Sequence, residues 1–245
     1  MADSSSMFDS ESQRLAWLIG EVEERASSGT SPAIAPSDVS LLLVTTSMVE
    51  VALQYTKAIH ALITAGLHLA AGPIERGLWE LWNDFRYLLM TPDPERQALK
   101  VLINASMEVR DFIGKNRPDD RTSQMSIERG LESYRGEDPD LFEEVLLQRK
   151  KRRFHWSGLS FTEVARAVSG DTRVYKILSW DAHNLLAPIR DVQFLNAGSQ
   201  VKLIFSRRDD AFANRDRLAW ATGGVLFNMW NDHASRWNGS PISPP

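Results

Sequence analysis

Cysteine is missing altogether from this chain. Its absence excludes disulfides, thiolate zinc sites and thiol nucleophiles together, and it fits a reducing cytoplasm better than an oxidising exterior. Any site must therefore be built from oxygen and imidazole. Histidine is also scarce, with five copies in 245 residues, and no Glu-x-x-His pair or His-Glu-x-x-His run occurs. We accordingly expect no metal and no cofactor. No Gly-x-Ser-x-Gly elbow surrounds Ser179, which argues against a serine hydrolase built on it and His183. Strong charge of either sign is lacking too: the formal net charge is −4, too modest to predict wholesale attraction to DNA or to an anionic membrane. The longest uncharged stretch, Ala58 to Ile74, is interrupted by His60, Gly66, His68, Gly72 and Pro73. It reads as a buried helix followed by a turn rather than a bilayer span. The N-terminal dozen residues are rich in Ser, Asp and Glu, without the basic and apolar regions of a secretory signal.

What is present is helical patterning over a hydrophobic fraction of 43%, ample for one core. Residues 1–11 and 237–245 have the composition of disordered tails, and 12–236 is expected to form a single domain. The spacing of Leu15, Leu18, Ile19 and Val22 predicts a first amphipathic helix ending at Ser27-Ser-Gly. Ser37 and Asp38 offer caps to a long apolar helix reaching Gly66, and Pro73 opens another that ends at Met90. So short a connection predicts an antiparallel pair at the centre of the bundle. Asp93-Pro94 marks a capped helix to about Lys115, followed by a polar turn over residues 117–122. Shorter helices are expected over 123–134, 139–152 and 174–186. The capping box Ser160-x-x-Glu163 opens one more, ending at Ser169-Gly170. Two apolar runs around Asn196-Ala-Gly-Ser199 suit a small hairpin at 193–205, and a final helix is expected over 211–234. The fold class is all-α, a single-domain helical bundle.

Three polar constellations stand out. In the helix from Ile74 to Met90, Arg76, Glu80, Asn83, Asp84 and Tyr87 share the face opposite Leu78, Leu81, Trp82, Phe85, Leu88 and Leu89, a pattern that suits either a solvated face or a covered site. Tyr175, Ser179 and His183 are spaced four and four along another helix. There the last-turn dipole favours a protonated imidazole, and His183 serves equally as a carbonyl cap or as a proton donor. Arg149-Lys-Lys-Arg-Arg153 precedes Phe154-His155-Trp156. A basic helix end is commonly solvated, and the same block suits an RNA backbone with a stacked base.

The ordered set Arg76-x-x-x-Glu80, Tyr87-Leu-Leu, Asp93-Pro-Glu-Arg96, His155-Trp156 and Tyr175-x-x-Leu-Ser179-x-x-x-His183 resembles a bacterial family of helical proteins known only as a domain of unknown function. The resemblance spans about Ser40 to Trp230. It implies an all-helical fold in which Arg76, Glu80, His155, Tyr175, Ser179 and His183 share one site. Arg149 and His155 also resemble the arginine and histidine of HEPN ribonucleases, although Lys150 replaces the polar residue common there. That similarity implies His155 in proton transfer and Arg149 at the phosphate, without metal and across a homodimer.

Two functions follow as expectations. One is a metal-independent endoribonuclease or toxin-like effector, with His155 and Arg149 catalytic, His183 beside them, and Arg76, Glu80, Tyr175, Ser179 and Trp156 in binding or support. The other is a non-catalytic ligand-binding, regulatory or interaction module that uses the same polar residues for packing. An exposed His155 beside Arg149 suits the first, and a buried, fully bonded His155 suits the second.

Overall fold

The computed structural model describes residues 10–28, 38–150, 155–170, 210–237 and 239–243, two strands at 192–197 and 200–205, and the single residues 8, 35 and 172. Among these the architecture is all-α. The elements in chain order are α1 (Glu11–Ser28), α2 (Val39–Thr64), a 3₁₀ turn (His68–Ala71), α3 (Gly72–Met90), α4 (Pro94–Asn116), α5 (Arg121–Glu137), α6 (Pro139–Lys150) and α7 (Phe161–Ser169). The antiparallel pair β1 (Val192–Ala197) and β2 (Gln200–Phe205) and the helix α8 (Asp210–Arg236) complete the order. In the strand pair Val192 lies opposite Phe205 and Ala197 opposite Gln200.

Several helix ends are written in local chemistry. The Asp93 carboxylate accepts the Arg96 N–H, and Pro94 occupies the first turn of α4, where its missing N–H costs nothing. Ser160 and Glu163 form the reciprocal capping box at the start of α7. That helix ends at Gly170, whose φ of 69° is left-handed. Asp120 accepts from Ser123 N–H, so α5 begins at Arg121, inside the segment expected to be a turn.

The 12–236 segment, expected as one domain, is described as two compact units. The first holds residues 1–32, 48–82 and 171–245, and the second holds 33–47 and 83–170. In the first unit α1 packs along α8. Leu15, Leu18, Ile19 and Val22 are all buried, as their spacing predicts, and Leu226, Met229 and Trp230 are buried on α8. Gly77 of α3 takes the ring of Tyr55 of α2, which would lie 3.2 Å from a Cβ at that position. A membrane-crossing length and composition are met by α2, with a mean hydropathy of 1.3, although the helix carries Glu50 and Lys57.

The C-terminal stretch differs from the loose tail its Pro, Gly and Ser content suggests. Asn231 Nδ2 donates to Ile242 O, and Ile242 N–H returns a bond to Asn231 Oδ1. Trp230 Nε1 donates to Ser240 O. Ile242 and Trp237 are buried, so one apolar anchor and a side-chain amide that mimics a strand partner hold the segment. Toward the other terminus, the Phe8 ring sits 5.6 Å from Trp17.

In the second unit α4, α5 and α6 share a core of Leu99, Ile103, Met107, Leu131, Leu141, Phe142 and Val145. Asp138 caps α6 by accepting from Leu141 N–H, and it also takes the Arg96 guanidinium of α4 at 2.9 Å. The bond from Leu141 N–H, followed by the Arg96 pairing, holds the Asp138 carboxyl below its ordinary value. Lys100 is almost fully buried and reaches Glu144 Oε1 at 2.5 Å.

Candidate functional site

The polar cluster of the second unit centres on His155, just ahead of α7. Its ring lies between two partners: Nε2 is 2.9 Å from Asp84 Oδ1 on α3, and Nδ1 is 2.6 Å from Ser157 Oγ. Ser157 N–H also donates to Nδ1 at 3.3 Å. A nitrogen that accepts a backbone N–H carries no proton, so the ring's hydrogen is on Nε2 and is donated to the Asp84 carboxylate. Ser157 Oγ in turn accepts from Leu159 N–H.

The local turn makes this possible. Gly158 has φ 75°, its N–H bonds to His155 O, and the Gln148 side chain stands 3.0 Å from where a Cβ would be. The positive φ favours glycine, and any Cβ would also require the Gln148 amide to shift. The Phe161 ring packs edge-on to the imidazole at 4.8 Å, and Trp156 is buried against Tyr87, with ring centroids 5.8 Å apart. The His155 side chain is left 8% exposed.

Chemically, the series Ser157, His155, Asp84 is a hydroxyl, imidazole and carboxylate in hydrogen-bonded line. The Ser157 oxygen is used on both sides, by the ring and by Leu159 N–H, and no bond of the ring is free for a substrate. The arrangement pins the 155–160 segment to α3.

Arg149, expected beside His155 at a phosphate, is engaged elsewhere. Its guanidinium bonds Asn104 Oδ1 at 3.0 Å and Asp111 Oδ2 at 2.8 Å on α4, with Glu108 at 3.7 Å. Two carboxylates thus offset its charge. Arg76 and Glu80, in the first unit, pair with each other along α3 at 2.8 Å. The bonds of His155 go to Asp84 and Ser157, not to that pair. Tyr175, Ser179, His183 and the basic residues Lys151, Arg152 and Arg153 lie outside the described residues. Among the described residues no group of three or more His, Asp and Glu is placed to hold a metal. Ser157 is a partner the sequence reading misses. Its signal is a serine two residues after a histidine, followed by glycine, the signature of a side chain folding back on its own turn.

The first unit holds a second feature, also missed. Between α1 and α8 lies a cavity of about 140 Å³, lined by Leu15, Trp17, Leu18, Trp220 and Phe227. Gly223 and Gly224 line it on α8, and Glu11 and Arg14 line it on α1. Trp220 is 63% exposed, a large apolar surface left in water.

No protein-family model matches this chain, and neither a curated protein nor a solved structure matches it.

Proposed function

We propose that this protein is a non-catalytic binding or regulatory module, in which the polar residues around His155 fix the packing of the second unit. The observation that carries this reading is the state of His155: almost fully buried, with both ring nitrogens committed to Asp84 and Ser157. A general acid or base needs a ring nitrogen within reach of the substrate. The engagement of Arg149 by Asn104 and Asp111 supports the same reading, because phosphate binding would first have to displace a charge-assisted bond.

The competing proposal, a metal-independent endoribonuclease acting through His155 and Arg149, requires both residues to leave these partners. It is tested by incubating the purified full chain with mixed structured and single-stranded RNA in EDTA, with His155→Ala and His183→Ala alongside. The expected result is no cleavage by any of the three. Metal-free cleavage that disappears in a folded His155→Ala variant would overturn the binding-module reading.

A further inference from the structure

We infer that the cleft between α1 and α8 is a binding site for a small zwitterion carrying a single aromatic ring, of the chemistry of a free aromatic amino acid. This deepens the binding-module reading and rests on it for its purpose, although the cleft's geometry stands apart from anything His155 does.

Size comes first. An apolar cavity of roughly 150 Å³ accommodates one benzene ring, and this one is about 140 Å³ with aromatic walls. Tryptophan and phenylalanine faces favour a ring in offset or edge-on contact.

The glycine pair is the second argument. Each glycine inside a helix costs about 1 kcal/mol relative to alanine, and α8 carries two in succession. At Gly223 a Cβ would lie 3.5 Å from the Leu15 side chain, an ordinary contact, so close packing does not demand glycine there. At Gly224 a Cβ would meet nothing within 4 Å. Its bareness keeps the cleft open, and a side chain there would fill it.

The third argument is charge at the lining. Glu11 and Arg14 stand one turn apart on α1, and among the described residues neither side chain has a hydrogen-bond or ion-pair partner. The helix dipole favours Glu11 in the first turn but gains nothing from Arg14 beside it. One cation and one anion at this spacing complement the carboxylate and ammonium that share a carbon in an amino acid, while the ring enters between Trp17 and Trp220.

The test is calorimetric titration of the full chain with L-phenylalanine, phenylacetate, phenethylamine and toluene, repeated on three variants. L-Phenylalanine is expected to bind one saturable site, with phenylacetate and phenethylamine each weaker by about tenfold, the worth of one charge-assisted contact. Arg14→Gln should weaken phenylalanine and phenylacetate by a similar factor and leave phenethylamine unchanged, and Glu11→Gln should do the converse. Gly224→Leu should abolish binding of all four while raising helix stability, so that lost binding cannot be lost folding. No binding of phenylalanine at millimolar concentration, or binding undiminished in Gly224→Leu, overturns the site. Toluene binding as tightly as phenylalanine overturns the zwitterion. RNA cleavage dependent on His155 would overturn the earlier reading without touching these outcomes, so the two failures are distinguishable.

Discussion

Nε2 of His155 donates to Asp84 Oδ1 at 2.9 Å, joining the turn ahead of α7 to the second half of α3 across 71 residues of sequence. Removing the imidazole leaves the partly buried Asp84 carboxylate without its donor and Ser157 without its acceptor. His155→Ala should therefore lower the unfolding free energy by about 2–4 kcal/mol, measured by urea denaturation. His155→Gln, which keeps one donor of similar reach, should cost less. A loss within ~0.5 kcal/mol for His155→Ala would mean that the pin contributes nothing.

Lys100 and Glu144 give an asymmetric pair of expectations. Lys100 is 4% exposed at its side chain and Glu144 is 42% exposed. Glu144→Ala strands a buried ammonium and should cost about 2 kcal/mol. Lys100→Met frees only an exposed carboxylate and should be neutral within about 1 kcal/mol. A double-mutant cycle reads the coupling. Equal losses from the two single variants would show that the pair stabilises by attraction rather than by compensating burial.

His233 predicts a dependence on pH. Burial pushes its pKa down from the ordinary 6.5 to about 4, and its Nδ1 is buried with no hydrogen-bond partner. The unfolded chain thus binds the proton that the folded chain refuses. The stability tied to neutral His233 is fully present above pH 6.5, falls as the pH drops toward 4, and then levels off, at up to about 1 kcal/mol per pH unit. The lowered carboxylate of Asp138 works in a different window: its contribution is present above the ordinary carboxylate value and is lost only as pH falls through the lower folded one. Thermal melts between pH 7 and 4 should show the wild type losing stability relative to His233→Leu, which has no imidazole to charge, so that the gap between them widens in the wild type's disfavour toward the acid end. Parallel curves would remove His233 as the cause.

The ends of α7 predict two further losses. Ser160→Ala removes one half of the capping box and should cost about 1 kcal/mol. Gly170→Ala forces a Cβ into a left-handed φ of 69° and should cost a similar amount, with Gly170→Asn milder. Hydrogen exchange of the α7 amides reports both, and unchanged protection would contradict the capping argument.

What was legible in the sequence was what is decided within a few residues. Asp93-Pro94, Ser160-x-x-Glu163 and Gly170 mark their helix ends because each bond is made to a neighbour three or four positions away. The Leu15, Leu18, Ile19 and Val22 stripe is legible for the same reason. Nothing local states that Asp84 meets His155, or that Arg149 spends its charge on Asp111, because those pairings depend on which helices pack together. The basic block therefore read as a phosphate site when at least its first member is held by carboxylates. Composition also misread the C-terminus, where a single isoleucine and one asparagine amide outweigh the prolines around them.

The partnership of α1 with α8 sets the order in which the protein can be completed. On the ribosome α1 emerges well before α8, with Leu15, Leu18, Ile19 and Val22 on one face, and the helix that covers that face is not synthesised until residues 210–236. Contacts so distant in sequence form slowly, and uncovered apolar stripes invite aggregation in the interval. Premature termination or proteolysis anywhere within α8 would strip α1 of its cover at the opposite end of the chain. Translation therefore leaves a long window in which the apolar stripe of α1 lies without the helix that covers it.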